Sequence, residues 1–271
     1  MRIVCTALAL LLAATTAGAH EFWVEPESFT PSVGDRVAVR LFVGDAGERE
    51  EIARRSDHLL RFESVRAEST EPVVGLLGRA PAGMLSLETP GELLLVYQGR
   101  HTFIELPAEK FESYLQTEDL ARVIAERVRR NESLSPGRET YARYAKSLVN
   151  VGEVDDGQRV FSLEVGLLVE VVLETDPRGW RVGDPLVVRV LYGGRPLADQ
   201  SLKLIHLIDR ELQLHARTDA EGRAELQPPQ PGPWLVATVF MRRAGDGVEG
   251  DWESFWASLT LELPPVVSKL E

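Results

Sequence analysis

His20, Glu21 and Glu25 stand together in the stretch AGAHEFWVEP, directly behind Ala17-Gly18-Ala19. A chain cut after Ala19 would begin with His20, whose free α-amine and imidazole Nδ1 can close one chelate ring on a single metal. The amine's pKa of about 7.7–8.0 lets a metal displace its proton near neutral pH. A second imidazole from elsewhere would complete a T-shaped set of three nitrogens, a histidine brace. Nitrogen-rich tetragonal sites suit Cu(II) or Ni(II), so a divalent transition metal is the cofactor such a start calls for. By strand alternation Glu21, Trp23 and Glu25 share a face, and the two carboxylates could add oxygen ligands.

Four other histidines compete for the second position. His206 is in phase with Leu202 and Leu204 and reads as a core residue satisfied by backbone. His215 is out of phase with Leu212 and Leu214 and reads as exposed, and His58, beside Asp57, reads as solvated surface. His101 follows a Gln-Gly-Arg turn at a strand end, where loop residues often carry function. The expected metal ligands are therefore His20 and His101.

Other constellations point away from catalysis. DWESFW sets Asp251 and Glu253 beside Trp252 and Trp256, which could stack on a sugar, but aromatics at this strand spacing more often pack between sheets. Ser254 lacks a nucleophile-elbow context. Phosphate-binding glycine loops and Cys/His zinc spacings are absent from the sequence. The protein is not expected to be an enzyme.

The elements that would position these residues follow from pattern. Arg2, the apolar run Ile3 to Thr16 and the small residues before His20 read as a signal peptide, too short for the roughly 20 residues a spanning helix needs. Cys5, the single cysteine, leaves with it, which excludes disulfides and thiolate metal sites in the mature chain. The expected product is soluble and periplasmic, without direct membrane insertion. A net charge of −12 disfavours nucleic acid as a partner and mildly favours cations.

VGDRVAVRLFVGD from Val33 and VGDPLVVRVLYGG from Val182 share a Gly-Asp turn, an alternating strand with arginine at the same step (Arg40 and Arg189) and a second turn. That suggests two copies of one β-unit. Short alternating runs separated by turn signals accompany each copy, as expected of antiparallel sandwiches. Between them, Phe111 and Leu115, then Leu120, Val123, Ile124 and Val128, recur at helical spacing. Ser135-Pro136 reads as a further helix start leading to Tyr141, Tyr144, Ala145 and Leu148 on one face.

The expected fold is mainly β: two immunoglobulin-like or transthyretin-like antiparallel β-sandwich units with a helical insertion between them. The boundaries are a signal peptide at 1–19, an N-terminal sandwich at 20–106, the insertion at 107–152, a linker at 153–164, a C-terminal sandwich at 165–265 and a tail at 266–271.

AHEFWVEP at the mature start, IELPAEKFESYL from Ile104, YARYAKSLVNVG from Tyr141 and DWESFWASLTLEL from Asp251 occur in that order. Together they resemble an exported bacterial family of unknown function that carries a nickel-uptake, substrate-specific-component label. The resemblance runs from His20 to about Leu263, with Phe240 where many relatives carry histidine. It implies a periplasmic metal-binding accessory for nickel, copper or cobalt, serving uptake or resistance and partnered by a membrane transport component. The alternative is a non-enzymatic sandwich module that binds a protein or glycan partner without metal.

Overall fold

The structure is a computed structural model, and it describes residues 21–45 and 48–265. The predicted signal peptide, His20 and the tail lie outside the described residues. The first half holds β1 (Glu21–Pro26), β2 (Arg36–Gly44), β3 (Arg49–Ile52), β4 (Leu59–Val65), β5 (Thr70–Pro72), β6 (Gly83–Ser86), β7 (Gly91–Gly99) and β8 (Thr102–Leu106). Helices α1 (Ala108–Thr117) and α2 (Ala121–Arg129) follow, then the long strand β9 (Gly137–Val151). The second half holds β10 (Val169–Leu173), β11 (Leu186–Tyr192), β12 (Arg195–Pro196), β13 (Ser201–His206) and β14 (Gln213–Arg217). It closes with β15 (Arg223–Leu226), β16 (Gly232–Arg243) and β17 (Trp252–Leu263). The chain is mainly β, built as sandwich-like sheets.

A central sheet runs β14-β13-β16-β17-β9-β7-β4-β5, with β8 also joined to β9. Strands β17 and β9 are parallel, with Trp252 opposite Glu139 and Thr260 opposite Ser147, so strands of the two halves share one sheet. Two small sheets cover it from opposite sides. The first, β1-β2-β3 with β6, packs on Leu93, Leu95, Tyr97, Ala145 and Val149. The second, β10-β11-β12 with β15, packs on Leu94, Val96, Ala142, Tyr144 and Leu148. Consecutive residues of β7 thus serve two cores, which is why its middle, Leu93 to Val96, is an unbroken apolar run rather than alternating.

The internal repeat is visible as topology. Its two copies form β2 and β11, each the middle strand of a small sheet, with one partner on one side and two on the other. Each copy opens on a glycine with positive φ, Gly34 at 93° and Gly183 at 100°, where a side chain would be strained.

The helical insertion is shorter than predicted. Residues 108–129 are helical, but the segment from Gly137 to Val151 is a strand and not a helix. Tyr141, Tyr144, Ala145 and Leu148 fit a helical spacing by coincidence. As a central strand β9 is buried on both faces, so the polar–apolar alternation that marks a half-buried strand is missing. Gly137 allows α1 to dock there, because a Cβ at this position would lie 2.0 Å from the Phe111 ring. Among the described residues no helix is long and apolar enough to cross a membrane.

Candidate ligand-binding cleft

Of the two predicted metal ligands, His20 lies outside the described residues and only His101 can be placed. His101 is exposed, with its ring 6.3 Å from that of Phe255, a residue of the core beneath the second small sheet. Glu21, the residue after His20, lies on the opposite face of the central sheet. There Lys203 Nζ donates to Glu21 at 2.7 Å and to Glu118 at 2.8 Å. Burial raises Glu118 to about 7, against the pull of Lys203. Glu25 accepts from Trp23 Nε1 at 2.8 Å and from Arg49 at 2.9 Å.

His206 is a core residue. Its Nδ1 accepts the Asp209 backbone N–H at 3.0 Å and its ring meets Trp234. His215 is exposed. Among the described residues no three His, Cys, Asp or Glu side chains are grouped to hold a metal ion. The DWESFW aromatics pack: Trp252 lies under Arg243, whose guanidinium carbon is 4.0 Å from the ring centroid, and Trp256 stacks on Tyr114.

A different site does form. Where the β2–β3 pair passes the β7–β8 turn and the start of β9, a cleft of about 420 Å³ opens, within the usual range for small-molecule sites. Leu41, Val43 and Ile52 supply an apolar wall, and Tyr97 and Tyr141 supply aromatic ones. Arg143 reaches into it from β9. Its guanidinium carbon lies 5.2 Å from the Phe22 ring centroid and 5.3 Å from that of Tyr141. Burial lowers its pKa, and among the described residues no carboxylate lies within ion-pairing distance of it.

The remaining charges of the cleft are mostly committed or at its rim. Arg55 is paired with Asp57, and Glu51 lies 3.6 Å from Arg40. Arg100 and Glu50 are exposed. Burial pushes the Tyr97 phenol up to about 12, and its hydroxyl donates to the His58 carbonyl at 3.3 Å. His58, read from sequence as solvated surface, lines the cleft half-buried. Sequence reasoning missed Arg143 because it treated YARYAKSL as helical. In strand register the same letters place Tyr141 and Arg143 on one face, which is the signal that was there.

The model of the domain-of-unknown-function family DUF4198 matches residues 17–242. The chain belongs to this family. Every residue lining the cleft falls inside the matched stretch, whereas DWESFW lies beyond it. No curated protein matches this DUF4198 member. Among solved structures it is similar to the Yersinia pseudotuberculosis adhesin InvE, at 12% identity and a TM-score of 0.21, covering 89% of this chain and 58% of that one. A superposition at that score carries no argument, and the chain spans under two thirds of the adhesin's solved length.

Elsewhere in this DUF4198 chain four buried ionisable groups, Lys146, Glu170, Glu139 and Arg127, have partners. Lys146, also on β9 but facing the second small sheet, donates to Glu170 at 2.8 Å. Glu170 also accepts the backbone N–H groups of Val165, Gly166 and Leu167, at 2.8 to 3.2 Å. Glu139, under α1, accepts from Ser254 and from the Tyr114 hydroxyl, and burial raises it to about 7. Arg127 ties α2 to Glu112 at 2.7 Å and to the carbonyls of Glu132 and Ser135 at 2.8 Å. These groups hold elements together. Arg143 pairs with no carboxylate among the described residues.

Proposed function

We propose that this protein is a non-catalytic, exported binding module that captures a small ligand in the cleft at Arg143. The observation carrying the reading is a half-buried guanidinium that faces a cavity with no carboxylate partner among the described residues. Burying a charge is costly unless it is paired, so a fold that keeps one unpaired beside a cavity has a use for it. The immunoglobulin-like or transthyretin-like character of the halves belongs to the same proposal, supported by the matching small sheets around β2 and β11. A heteronuclear NMR screen of small fragments tests it. Hits should shift the backbone amides of Gly99, Thr102 and Arg143 together. A screen in which no fragment moves these amides overturns the reading.

Metal capture by a mature N-terminal His20 is the second reading, with nickel, copper or cobalt passed to a membrane transport component. It is favoured by Glu21 and Glu118, two carboxylates drawn together around Lys203 at the beginning of β1. Its test is Cu(II) and Ni(II) titration of protein starting at His20 beside the same protein with one alanine added in front. Tight binding of one equivalent by the first and not the second supports a site that uses the free amine. Equal, weak binding removes it.

A further inference from the structure

We infer that the cleft selects a monocarboxylate carrying an apolar body of about aromatic size; this deepens the binding reading above and rests on it. Four features of the site converge on that class.

The first is the kind of cation. A guanidinium offers a planar fork of N–H donors that matches a carboxylate with two parallel hydrogen bonds, which an ammonium does not. Phe22 and Tyr141 lie against the Arg143 guanidinium and hold it by cation–π attraction, leaving its N–H groups as the unclaimed polar feature. The second is the wall. Leu41, Val43, Ile52 and the ring of Tyr97 present apolar surface that a bare inorganic anion would leave uncovered.

Charge count is the third. Opposite Val43 in the β2–β3 register stands Glu50, an exposed residue at the cleft rim with no ion-pair partner among the described residues. Arg40 already offsets Glu51, and Arg100 at the rim offsets Glu50, so Arg143 is left as the one positive charge offered to a ligand. A phosphate dianion or a dicarboxylate is disfavoured by that arrangement and a single carboxylate is not. The fourth is size. A volume of about 420 Å³ admits a ring and a short linker beyond the carboxylate.

The test compares four probes on the full protein by NMR titration: 3-phenylpropanoate, 3-phenylpropanol, 3-phenylpropylamine and inorganic phosphate. A hydrogen-bonded charge of this kind is worth roughly 1.5–3 kcal/mol, or about tenfold to a hundredfold in affinity. The acid should therefore bind at least about tenfold tighter than the alcohol, with shifts at Gly99 and Thr102, while the amine and phosphate leave those amides in place. Arg143→Met should bring acid and alcohol within about twofold, and Arg143→Lys should keep a weakened preference for the acid.

If acid and alcohol bind the wild-type cleft equally, the carboxylate class is wrong and the binding reading survives. If phosphate displaces the acid from the same amides, the selectivity is for charge alone and the inference is overturned. If no probe moves Gly99 or Thr102, the cleft reading falls with it. The wild-type ratio of acid to alcohol decides the matter even where the Arg143→Met protein fails to fold.

Discussion

Arg143 and Lys146 leave the same strand three residues apart, point to opposite faces of the central sheet and meet different surroundings. Lys146 faces the second small sheet, where the segment before β10 folds inward and Glu170 ties ammonium and loop backbone together. Glu92 fastens the same region by accepting the Val160 and Phe161 N–H groups at 2.6 and 3.0 Å. Arg143 faces the first small sheet, where among the described residues no carboxylate meets it and two aromatic rings lie against it instead. β2 and β11 are similar in sequence and their small sheets share a topology, so the difference lies in what sits between each small sheet and the central one. One side was closed with an ion pair, and the other was left open around a cation. Buried charge of itself does not mark a site; buried charge whose complement is missing does.

The largest effect should come from breaking the closed side. Lys146→Met leaves Glu170 buried with only backbone donors, and removing one partner of a buried pair costs about 3–5 kcal/mol. Denaturant unfolding should show that loss. Adding Glu170→Leu should restore only part of it, because Val165, Gly166 and Leu167 would then lose their acceptor. Full recovery in the double variant would mean the loop needs no carboxylate, and the contrast with Arg143 would reduce to side-chain packing.

A third buried group on β9 gives a smaller, pH-dependent effect. Glu139 titrates near 7 in the folded protein because burial under α1 disfavours its charged form, against 4.5 for the free side chain. Between about pH 4.5 and 7 the folded state keeps a proton that the unfolded state has released, so stability falls as pH rises through that window and levels off above it. The loss should be on the order of 3 kcal/mol. Glu118 adds a slope of the same sign. Glu139→Gln, which keeps a hydrogen-bonding side chain without the titration, should flatten part of the curve. An unchanged slope would assign the effect to Glu118 and its Lys203 partner.

How far the sequence revealed this depends on how many faces of each element are buried. β11 alternates because one face meets another sheet and the other is less covered, and β2 was readable from its Val37, Val39 and Leu41 spacing although Ala38 and Phe42 are buried as well. α1 and α2 were readable because Phe111, Leu115 and Val123 repeat with charge on the far side. β9 was not, since burial on both faces erased its alternation and left a spacing that mimics a helix. That one misassignment hid Arg143, whose facing ring, Phe22, lies far away in sequence on β1. Histidines drew attention because their chemistry is legible from type alone. An arginine becomes informative only once the absence of its partner can be seen in space.

The smallest expected change is also the one that separates the two cations most directly. Arg143→Met removes a charge that has no protein complement and replaces it with a flexible apolar side chain able to fill part of the space between Phe22 and Tyr141. Loss of the cation–π contacts costs about 0.5–2 kcal/mol, and relief of the desolvated charge returns a comparable amount. Thermal unfolding of the ligand-free protein should therefore show a shift within about 1 kcal/mol of zero, possible in either direction, where Lys146→Met shows several kcal/mol of loss. Added 3-phenylpropanoate should then raise the wild-type midpoint and leave that of Arg143→Met unmoved, since a ligand stabilises only the state that binds it. A large loss of stability in the ligand-free Arg143→Met protein would put Arg143 in the same class as Lys146, a structural cation whose rings are its partner, and the open cleft would need another owner.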